Sequence, residues 1–408
     1  MTEQADTDEN SNIAAVLAVA LARAIQGSRF AAAATGTQGG WLPFDEFMQM
    51  ALYTPRLGYY ASSLPKIGAD LASTDFITAP EISPVFAQCL AEQIVQALAA
   101  TGTDEVWEFG AGTGALAAQL IAALAAKGVA IKRYTIVDIS SHLRGVQQER
   151  LAEHGDLVQW ASSLPPQMQG VVVGNELLDA MPVKLLQRTG GVWHERGVGL
   201  DAVHDEDFVW IDRPTALRPP LEIEGSHDYL TEIHPQAEAF VRTLASHLVK
   251  GLVLLVDYGF PEAEYYHPQR HMGTLMCHRG HHSDPDPLDA VGRKDITAHV
   301  NFTGIALAAQ DVGMEVLGYT TQGRFLMNCG ALTFLEQTTT ISRRHSAKLL
   351  QEHEMGELFK VLALGIGLAQ AGEIRPMNDP TNDPMAGTPG SAVFDPIGFT
   401  QGDRSHTL

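Results

Sequence analysis

Residues 106–116 read VWEFGAGTGAL, an apolar strand that leads through three alternating glycines into an alanine-rich helix. Gly110, Gly112 and Gly114 carry no Cβ, so the backbone can turn sharply there and approach a bound ligand closely. The free N–H groups at the start of the following helix would then face that ligand. This strand, loop and helix predict a nucleotide-type cofactor site in an α/β fold.

The details of the loop favour S-adenosylmethionine over a dinucleotide. The dinucleotide fingerprint is G-x-G-x-x-G, whose third glycine would fall at residue 115, where this chain has Ala115. Glu108 lies inside the strand, two residues before the first glycine, where it would attract the amino group of a methionine moiety and repel a pyrophosphate. The chain has no G-x-x-x-x-G-K-[ST] run, so a P-loop is not supported.

A second acid, Asp138, follows the next apolar strand at residues 134–137. An acid at the tip of the second strand of a βαβ unit commonly holds ribose hydroxyls. Alternatively, Asp138 only caps the following helix together with Ser140 and Ser141. A loop acid can do both, so both interpretations stay open at this stage.

The chain predicts a mostly parallel, doubly wound α/β sheet with an antiparallel edge. Residues 101–182 alternate between strands and helices, which is the pattern of a parallel sheet with helices on both faces. Residues 171–173 are all valine, as expected for a buried central strand. Residues 183–234 break the alternation with two strands around a Gly190–Gly191 turn, which predicts an inserted antiparallel β element.

The remaining segments complete the expected organisation of the 408 residues. Polar or Pro- and Gly-rich termini indicate disorder, and helices with loops precede the core. Late strands are expected near residues 314–318 and 325–328, followed by terminal helices. The resulting division is a disordered 1–12, an N-terminal helical cap at 13–100, a core at 101–370 with insertions at 183–234 and 258–300, and a disordered tail at 371–408.

Composition and charge narrow the classes of partner. The net charge of −21 argues against nucleic acid, whose phosphates would be repelled. Three widely spaced cysteines indicate a reducing compartment without a disulfide framework. The apolar segment 13–22 is too short to span a bilayer, and an acidic stretch precedes it instead of the basic residues of a targeting sequence. We therefore expect a cytoplasmic protein with no membrane insertion.

A candidate catalytic segment, residues 174–182, reads GNELLDAMP directly after the valine strand. Asn175 and Glu176 would lie at the same sheet edge as the glycine loop, where open α/β sheets bind ligands. Asp179 would share a face with Glu176 if the segment is helical. Acids at this place could clamp an arginine guanidinium and take its proton as a methyl group arrives. We predict Glu176 and Glu81 for this work, followed by Asp179; alternatively, Asn175 and Asp179 cap a short helix and Glu176 is solvated.

The segment 258–300 contains seven possible metal ligands, namely His267, His271, Cys277, His278, His281, His282 and His299. Their spacing lacks the paired sets of zinc sites, so we predict no metal. We expect instead a lid that gates the substrate, with His299 and Phe302 lining a peptide groove. The alternative is that both side chains only pack the lid on the core.

Several motifs together resemble the MidA-like family of class I S-adenosylmethionine-dependent methyltransferases, which includes a mitochondrial complex I assembly factor that methylates arginine. The resemblance runs from about residue 41 to residue 364. The motifs are 57–60 (LGYY), 75–83 (DFITAPEIS), 108–114 (EFGAGTG), 175–182 (NELLDAMP), 257–259 (DYG) and 295–302 (DITAHVNF).

The resemblance implies a Rossmann-like methyltransferase core, a helical cap and an arginine-containing protein substrate, with a respiratory complex I subunit as one candidate. The expected cofactor-binding residues are Glu108, Gly110, Ala111, Gly112, Gly114, Asp138, Ile139, Thr78 and Pro80. The expected catalytic residues are Glu176, Glu81, Asp179 and Asn175, with Tyr258, His299 and Phe302 binding substrate. One departure concerns the substrate: the mitochondrial branch commonly carries G-P-G-R-G, and this chain has G-A-G-T-G.

Two other functions compete with this prediction. One is an NAD-dependent oxidoreductase, against which Glu108 and the missing third fingerprint glycine argue. The other is a non-catalytic assembly chaperone that keeps the cofactor fold. The intact glycine loop and the pair Asn175–Glu176 favour chemistry over that role.

Overall fold

The computed structural model describes residues 2–28, 37–62, 77–204, 207–368 and 394–408. The helices are α1 (Thr2–Gln26), α2 (Phe44–Tyr53), α3 (Ala79–Ile82), α4 (Pro84–Thr101), α5 (Ala115–Ala126), α6 (Ser141–Arg150), α7 (Pro235–His247), α8 (Glu262–Tyr265), α9 (Phe302–Gln310), α10 (Gln322–Asn328), α11 (Ala331–Glu336) and α12 (Thr340–Ala347). The strands are β1 (Thr37–Pro43), β2 (Glu105–Phe109), β3 (Arg133–Val137), β4 (Val158–Ala161), β5 (Met168–Asn175), β6 (Lys184–Thr189), β7 (Val192–Asp201), β8 (Phe208–Pro214), β9 (Tyr229–Ile233), β10 (Leu248–Phe260), β11 (Met276–Arg279), β12 (His282–Asp284), β13 (Asp295–Thr297), β14 (Val300–Asn301), β15 (Glu315–Thr321) and β16 (Phe359–Ile366).

The largest sheet has the strand order β15-β16-β10-β5-β2-β3-β4, with β14 paired to β10. The pairings from β10 through β4 are parallel, as is that of β14. Strands β16 and β15 are added antiparallel at one edge. The expected mostly parallel α/β sheet with an antiparallel edge is therefore confirmed.

The register of the parallel strands brings their carboxyl ends level with one another. Phe109 of β2 pairs with Val137 of β3 and with Gly174 of β5. Asn175 of β5 in turn pairs with Val256 of β10. The segments that follow these four strands therefore leave the sheet at the same edge, which is the ligand-binding edge of open α/β sheets.

Apolar helices cover both faces of this sheet. Helices α4 and α5 share one buried cluster with β5 and β10, and α7 and α9 share a second cluster with the opposite face. Leu90 and Ile94 of α4 are fully buried in the first cluster. We expected this helix in the N-terminal cap, but it belongs to the core. The spacing of its apolar residues shows that one face is buried, but it does not show which apolar surface covers that face.

The expected antiparallel insertion is confirmed. Strands β6 and β7 form a hairpin across Gly190 and Gly191, whose φ angles of 56° and 80° suit a tight turn. They belong to a sheet of order β1-β7-β6-β9, with β8 on β7. Because β1 comes from the region expected to be a helical cap, cap and insertion share one sheet.

The segment 258–300 is more ordered than the lid that we expected. Strands β12, β11 and β13 form a small antiparallel sheet. Cys277 and Ile296 of that sheet are buried in one cluster with Leu17 of α1 and Phe47 of α2. The segment is therefore a packed wall against the cap.

Three predictions outside the central part of the chain were wrong. Residues 2–12, expected to be disordered, belong to α1. Residues 325–328, expected to be a strand, lie in α10, whose N-cap Thr321 accepts a hydrogen bond from the backbone N–H of Arg324. The strand that pairs antiparallel with β10 is β16, in a region where we expected helices. An apolar run of this length suits a helix or a buried strand equally, and only its neighbours decide.

The end of the expected disordered tail is packed on the core. Phe399 is buried against Phe325, with ring centroids 5.4 Å apart. The backbone N–H of Arg404 donates to the carbonyl of Tyr319 on the edge strand β15, at 2.6 Å. Residues 371–393 of that tail, and residues 75–76 of the DFITAPEIS motif, lie outside the described residues.

Candidate active site

A cavity of about 800 Å³ opens at the carboxyl edge of the large sheet. Its walls come from the strand ends, from the cap and from the small sheet. One end is lined by the glycine loop and Asp138, and the other end by acids and tyrosines. The lining includes Tyr53, Tyr60, Thr78, Pro80, Glu108, Gly110, Ala111, Gly112, Asp138, Ile139, Asn175, Glu176, Asp179, Tyr258, Asp295 and His299.

The glycine loop connects β2 to α5 in a conformation that favours glycine. The φ angles of Gly110, Gly112 and Gly114 are 66°, 51° and 80°, all in the left-handed region. A Cβ at Gly110 would also lie 3.2 Å from the side chain of Leu177. Gly110 and Gly112 line the cavity, and Gly114 is the N-cap of α5 just behind them.

Glu108 is a buried carboxyl group on the cavity wall. Its Oε2 accepts a hydrogen bond from the hydroxyl of Tyr134 at 2.6 Å. Burial raises its pKa to about 7, against the lowering effect of that bond. A positively charged ligand group beside it would favour the ionised form.

Asp138 is held in place from two sides. Its Oδ1 accepts from the backbone N–H of Ser140 at 2.8 Å, and its Oδ2 accepts from the side-chain amide of Gln147 at 2.8 Å. Gln147 also donates to the carbonyl of Gly112 at 2.9 Å, so it connects the acid to the glycine loop. Ser140 caps α6 through its hydroxyl, while Asp138 lines the cavity beside Ile139, whose side chain is 74% exposed.

Glu81 does not line the described cavity, contrary to our expectation. Its Oε1 accepts hydrogen bonds from the Thr113 hydroxyl at 2.6 Å and from Arg150 at 2.9 Å. The carboxylate therefore braces the glycine loop through Thr113 and does not share the cavity with Glu176. Thr78 and Pro80, from the same motif, do line the cavity.

The segment after β5 is a turn, not the helix that would place Glu176 and Asp179 on one face. Glu176 has a φ of 50°, an uncommon conformation for a residue with a side chain. The Oδ2 of Asp257, at the end of β10, accepts the backbone N–H groups of Leu177, Leu178 and Asp179 at 3.0, 2.8 and 3.3 Å. We did not predict a role for Asp257, although an acid near the end of a buried strand was a usable signal.

The turn brings two acids into the cavity beside each other. Burial, and then the charge of Asp179, raise the pKa of Glu176 to about 8, and Asn175 donates to its Oε1 at 3.1 Å. Burial raises the pKa of Asp179 to about 6, although Tyr258 donates a hydrogen bond to its Oδ2. The Oδ1 atoms of Asp179 and Asn175 are buried without a hydrogen-bond partner among the described residues. A bound ligand with N–H groups would supply those partners.

The cap contributes residues that the sequence analysis did not select. The Tyr60 hydroxyl donates to Oδ1 of Asp295 at 2.8 Å, and the Tyr53 hydroxyl donates to the carbonyl of Ala180 at 2.8 Å. Both hydrogen bonds join residues that are more than 100 positions apart in the chain. Tyr60 belongs to the LGYY motif and Asp295 to the DITAHVNF motif, which was the available signal for these two, but it did not show that they meet.

The predicted substrate-binding residues divide between the cavity and the core. His299 lines the cavity, with its ring 5.1 Å from Tyr258 and 5.2 Å from Phe260, and burial lowers its pKa to about 4. Phe302, in contrast, is fully buried and packs on Tyr319 at 5.3 Å, so the expectation that it lines a groove is wrong. Within the described ranges no group of His, Cys, Asp and Glu is arranged to hold a metal ion.

The cavity residues fit an S-adenosyl group. Glu108 and Asp138 line the same cavity as the glycine loop, whose backbone leaves room for a ligand. The sulfonium cofactor carries a positive charge, which these acids would attract. Neither lysine nor arginine occurs among the described residues of the lining. Glu108, the glycine loop and Asp138 would hold the group, with Ile139 and Pro80 as apolar contacts.

Comparisons with known proteins agree with this site. A family model described as "Putative S-adenosyl-L-methionine-dependent methyltransferase" matches residues 89–320. The chain is 29% identical to "Protein arginine methyltransferase NDUFAF7, mitochondrial" of Danio rerio, over 85% of this chain and 89% of that protein. The human protein of that name is 27% identical over 80% of each. A crystal structure of a "likely methyl transferase" from Burkholderia thailandensis, bound to S-adenosyl-homocysteine, is 41% identical, covers 98% of both chains and has a TM-score of 0.84.

The expectation of a cytoplasmic location is wrong by this comparison, because these curated relatives are named as mitochondrial. A hydrophobic core and a charged surface meet the same physical demands in any aqueous compartment, so composition did not identify the compartment. In the part of the chain that the structure describes, no helix is both long and apolar enough to cross a bilayer.

The family match covers more than half of the chain, and it agrees with the cofactor end of the cavity. It confirms the prediction of an enzyme that uses S-adenosylmethionine, and it leaves no support for the NAD-dependent oxidoreductase. The chain belongs to this family of S-adenosyl-L-methionine-dependent methyltransferases.

Proposed function

We propose that this methyltransferase acts on an arginine side chain of a protein. The observation that carries the proposal is the acidic end of the cavity, where Glu176, Asp179 and Asp295 lie among tyrosines. Among the described residues, neither lysine nor arginine lines this cavity to balance these acids. Their charge and their hydrogen-bond acceptors suit a cationic substrate group.

A guanidinium matches this end of the cavity in both charge and shape. Its planar fork of N–H donors binds carboxylates in a bidentate manner. Burial raises the pKa of Glu176 to about 8 and that of Asp179 to about 6, so their ionised forms are disfavoured without a cation. The free oxygen of Asp179 and that of Asn175 are acceptors without partners among the described residues. An arginine side chain would satisfy both.

The residues also provide for the proton that arginine must lose. S-adenosylmethionine, when bound, supplies a methyl group on a positively charged sulfur. A guanidinium nitrogen becomes nucleophilic only as its proton leaves, because the group is otherwise always protonated. Glu176, with a pKa of about 8, is suited to accept that proton near neutral pH. Asp179, fixed by Tyr258, is suited to orient the guanidinium.

The names of the curated relatives support a protein arginine substrate. The identity of the protein that carries this arginine is a separate part of the proposal. A respiratory complex I subunit, suggested by the resemblance to the MidA-like family, is our candidate. The glycine loop reads G-A-G-T-G here, whereas the mitochondrial branch commonly carries G-P-G-R-G.

The proposal is tested by incubating the protein with S-adenosylmethionine and arginine-containing peptides, followed by mass spectrometry of the methylated residue. Glu176→Gln should lower methyl transfer by roughly a hundredfold or more, because the proton acceptor is lost. Calorimetry should show that this variant still binds S-adenosylmethionine. The control is Glu92→Gln. Glu92 belongs to α4, forms an ion pair with Lys127 and does not line the cavity.

Two results would overturn the proposal. One is methylation of lysine peptides in preference to arginine peptides by the unaltered protein. The other is full arginine methylation by Glu176→Gln, which would show that the acidic end of the cavity is not where the substrate reacts.

A further inference from the structure

We infer that two stacked tyrosines of the cap, Tyr53 and Tyr60, are positioning residues that hold the acid-bearing segments in place around the substrate cation. The inference rests on the proposed arginine methylation and adds to it the residues that set the shape of the acidic end of the cavity. It assigns the cap a role in the reaction besides closing the cavity.

The local chain places the two rings against each other. Tyr53 ends α2, and the following turn folds back on that helix, with the backbone N–H of Tyr59 donating to Ala51 and that of Tyr60 to Leu52, both at 2.9 Å. The rings of Tyr53 and Tyr60 are consequently 5.7 Å apart and nearly parallel, at an angle of 19°. The pair is preorganised by its own segment.

The two hydroxyl groups reach different parts of the site. Tyr53 donates to the carbonyl of Ala180 at 2.8 Å. Ala180 follows Asp179 in the turn after β5. Tyr60 donates to Oδ1 of Asp295 on β13, also at 2.8 Å. The backbone N–H of Ala298 donates to the carbonyl of Asp179 at 3.0 Å and joins the same two segments directly. The tyrosine pair therefore adds a second, side-chain connection that faces the cavity.

This connection is suited to hold acids that would otherwise move apart. Carboxylates crowded in a buried cavity repel one another, and fixed donors counter that repulsion. Burial, followed by the charge of Asp295, raises the pKa of both tyrosines well above 10, so they remain protonated donors. A donor aimed at Asp295 also fixes which way that carboxylate faces. Small displacements of such groups reduce transfer strongly, because the substrate must be aligned with the methyl group.

The test uses Tyr53→Phe and Tyr60→Phe, which keep the rings and remove only the hydroxyl groups. The matched control is Tyr319→Phe, a buried tyrosine outside the cavity whose hydroxyl has no partner among the described residues. Each cavity variant should lower kcat/KM for an arginine peptide roughly tenfold, because the lost hydrogen bond no longer holds the segment that carries Asp179 or Asp295 in place. Binding of S-adenosylmethionine should stay within about twofold of the unaltered protein for all three variants, as a check on folding.

A merely structural role is separated from positioning by a double-mutant cycle. If Tyr60 acts through Asp295, then Tyr60→Phe should have no further effect in an Asp295→Ala background, which lacks an acceptor for the Tyr60 hydroxyl. Losses that multiply in the double variant would overturn the assignment of Tyr60. Unchanged kcat/KM in both single variants, as in the control, would overturn the whole inference.

Failure of the inference is distinguishable from failure of the proposed function. Calorimetry of N-acetyl-arginine amide with the unaltered protein provides the reference. If that protein neither binds this compound nor methylates arginine peptides, the proposed function and the inference both fall. If it does both, and the phenylalanine variants match Tyr319→Phe, only the inference falls.

Discussion

At the scale of single residues, Glu176 combines two features that oppose stability. Its φ of 50° is uncommon for a residue with a side chain, and burial with Asp179 nearby raises its pKa to about 8. Both features are imposed by the turn that Asp257 holds through three backbone N–H groups. Such opposition is typical of catalytic positions, where activity requires an environment that folding alone would not favour.

The raised pKa predicts how methyl transfer depends on pH. Glu176 must be ionised to accept a proton, and its pKa of about 8 means that ionisation increases with pH across that value. We expect kcat/KM for an arginine peptide to rise between about pH 7 and pH 9 and then to level. Initial rates across that range measure this. A profile that is flat, or that falls, would contradict the assignment of Glu176 as the acceptor.

The same group predicts a pH-dependent gain in stability for Glu176→Gln. Because the folded pKa lies above the ordinary 4.5, the folded state retains a proton that the unfolded state loses, and the penalty grows as pH rises from about 5 to 8. The variant should therefore be more stable by roughly 1–3 kcal/mol at pH 8.5 and nearly unchanged at pH 4.5. Urea denaturation without cofactor at the two pH values measures this, and an equal difference at both would contradict it.

At the scale of elements, the central strands depend on close approach at the end opposite to the site. Gly170 of β5 pairs with Gly251 of β10 and has a φ of 109°. A Cβ at Gly170 would lie 2.0 Å from the backbone oxygen of Glu105 in β2. An approach this close fixes the register of β2, β5 and β10. The register in turn determines where the carboxyl ends of these strands lie relative to one another at the site.

This contact predicts opposite effects for two glycine substitutions. Gly170→Ala should destabilise the fold by roughly 3–5 kcal/mol, through backbone strain and displacement of β2. Gly145→Ala, at an exposed position in α6 with no atom within 4 Å of the added Cβ, should stabilise it by about 0.5–1 kcal/mol. Chemical denaturation of both variants measures the difference. Similar stabilities would show that the strands can shift without cost.

At the scale of the whole molecule, the C-terminal segment 394–408 closes the antiparallel edge of the sheet. The backbone N–H of Gly398 donates to Gln93 of α4 at 3.0 Å, and the carboxylate of Asp403 accepts from the backbone of Tyr319 on β15 at 2.9 Å. An edge strand covered in this way offers fewer free backbone groups for unwanted pairing. Residues 394–408 thus complete the core around the large sheet, whose first strand in the chain is β2, at Glu105–Phe109.

Phe399 is the side chain through which this closure can be measured. Phe399→Ala removes a buried ring that contacts Phe325, and we expect a loss of about 3–5 kcal/mol in the free energy of unfolding. The control is Leu332→Ala on α11, a residue 56% exposed, which should change stability by less than about 0.5 kcal/mol. Urea unfolding measures both. Equal stabilities would mean that the segment is dispensable for the core.

The sequence by itself determined the features that depend on neighbouring residues. The strand, glycine loop and helix at 105–126, the βαβ alternation and the hairpin at Gly190–Gly191 could all be predicted from local spacing. The place of Glu176 at the carboxyl edge followed from the same patterns, because a parallel strand must present its end there. Local periodicity and turn chemistry specify such elements directly, since the interactions that form them lie within a few residues.

Only the tertiary structure decided which distant segments meet. Tyr60 and Asp295 are 235 residues apart and share a hydrogen bond, while Glu81 is turned to Arg150 and Phe302 is buried in the core. The pattern of an apolar segment reports that it will be buried but not against which surface. That choice depends on the packing of the whole chain, in which many apolar surfaces compete and only one arrangement buries them together.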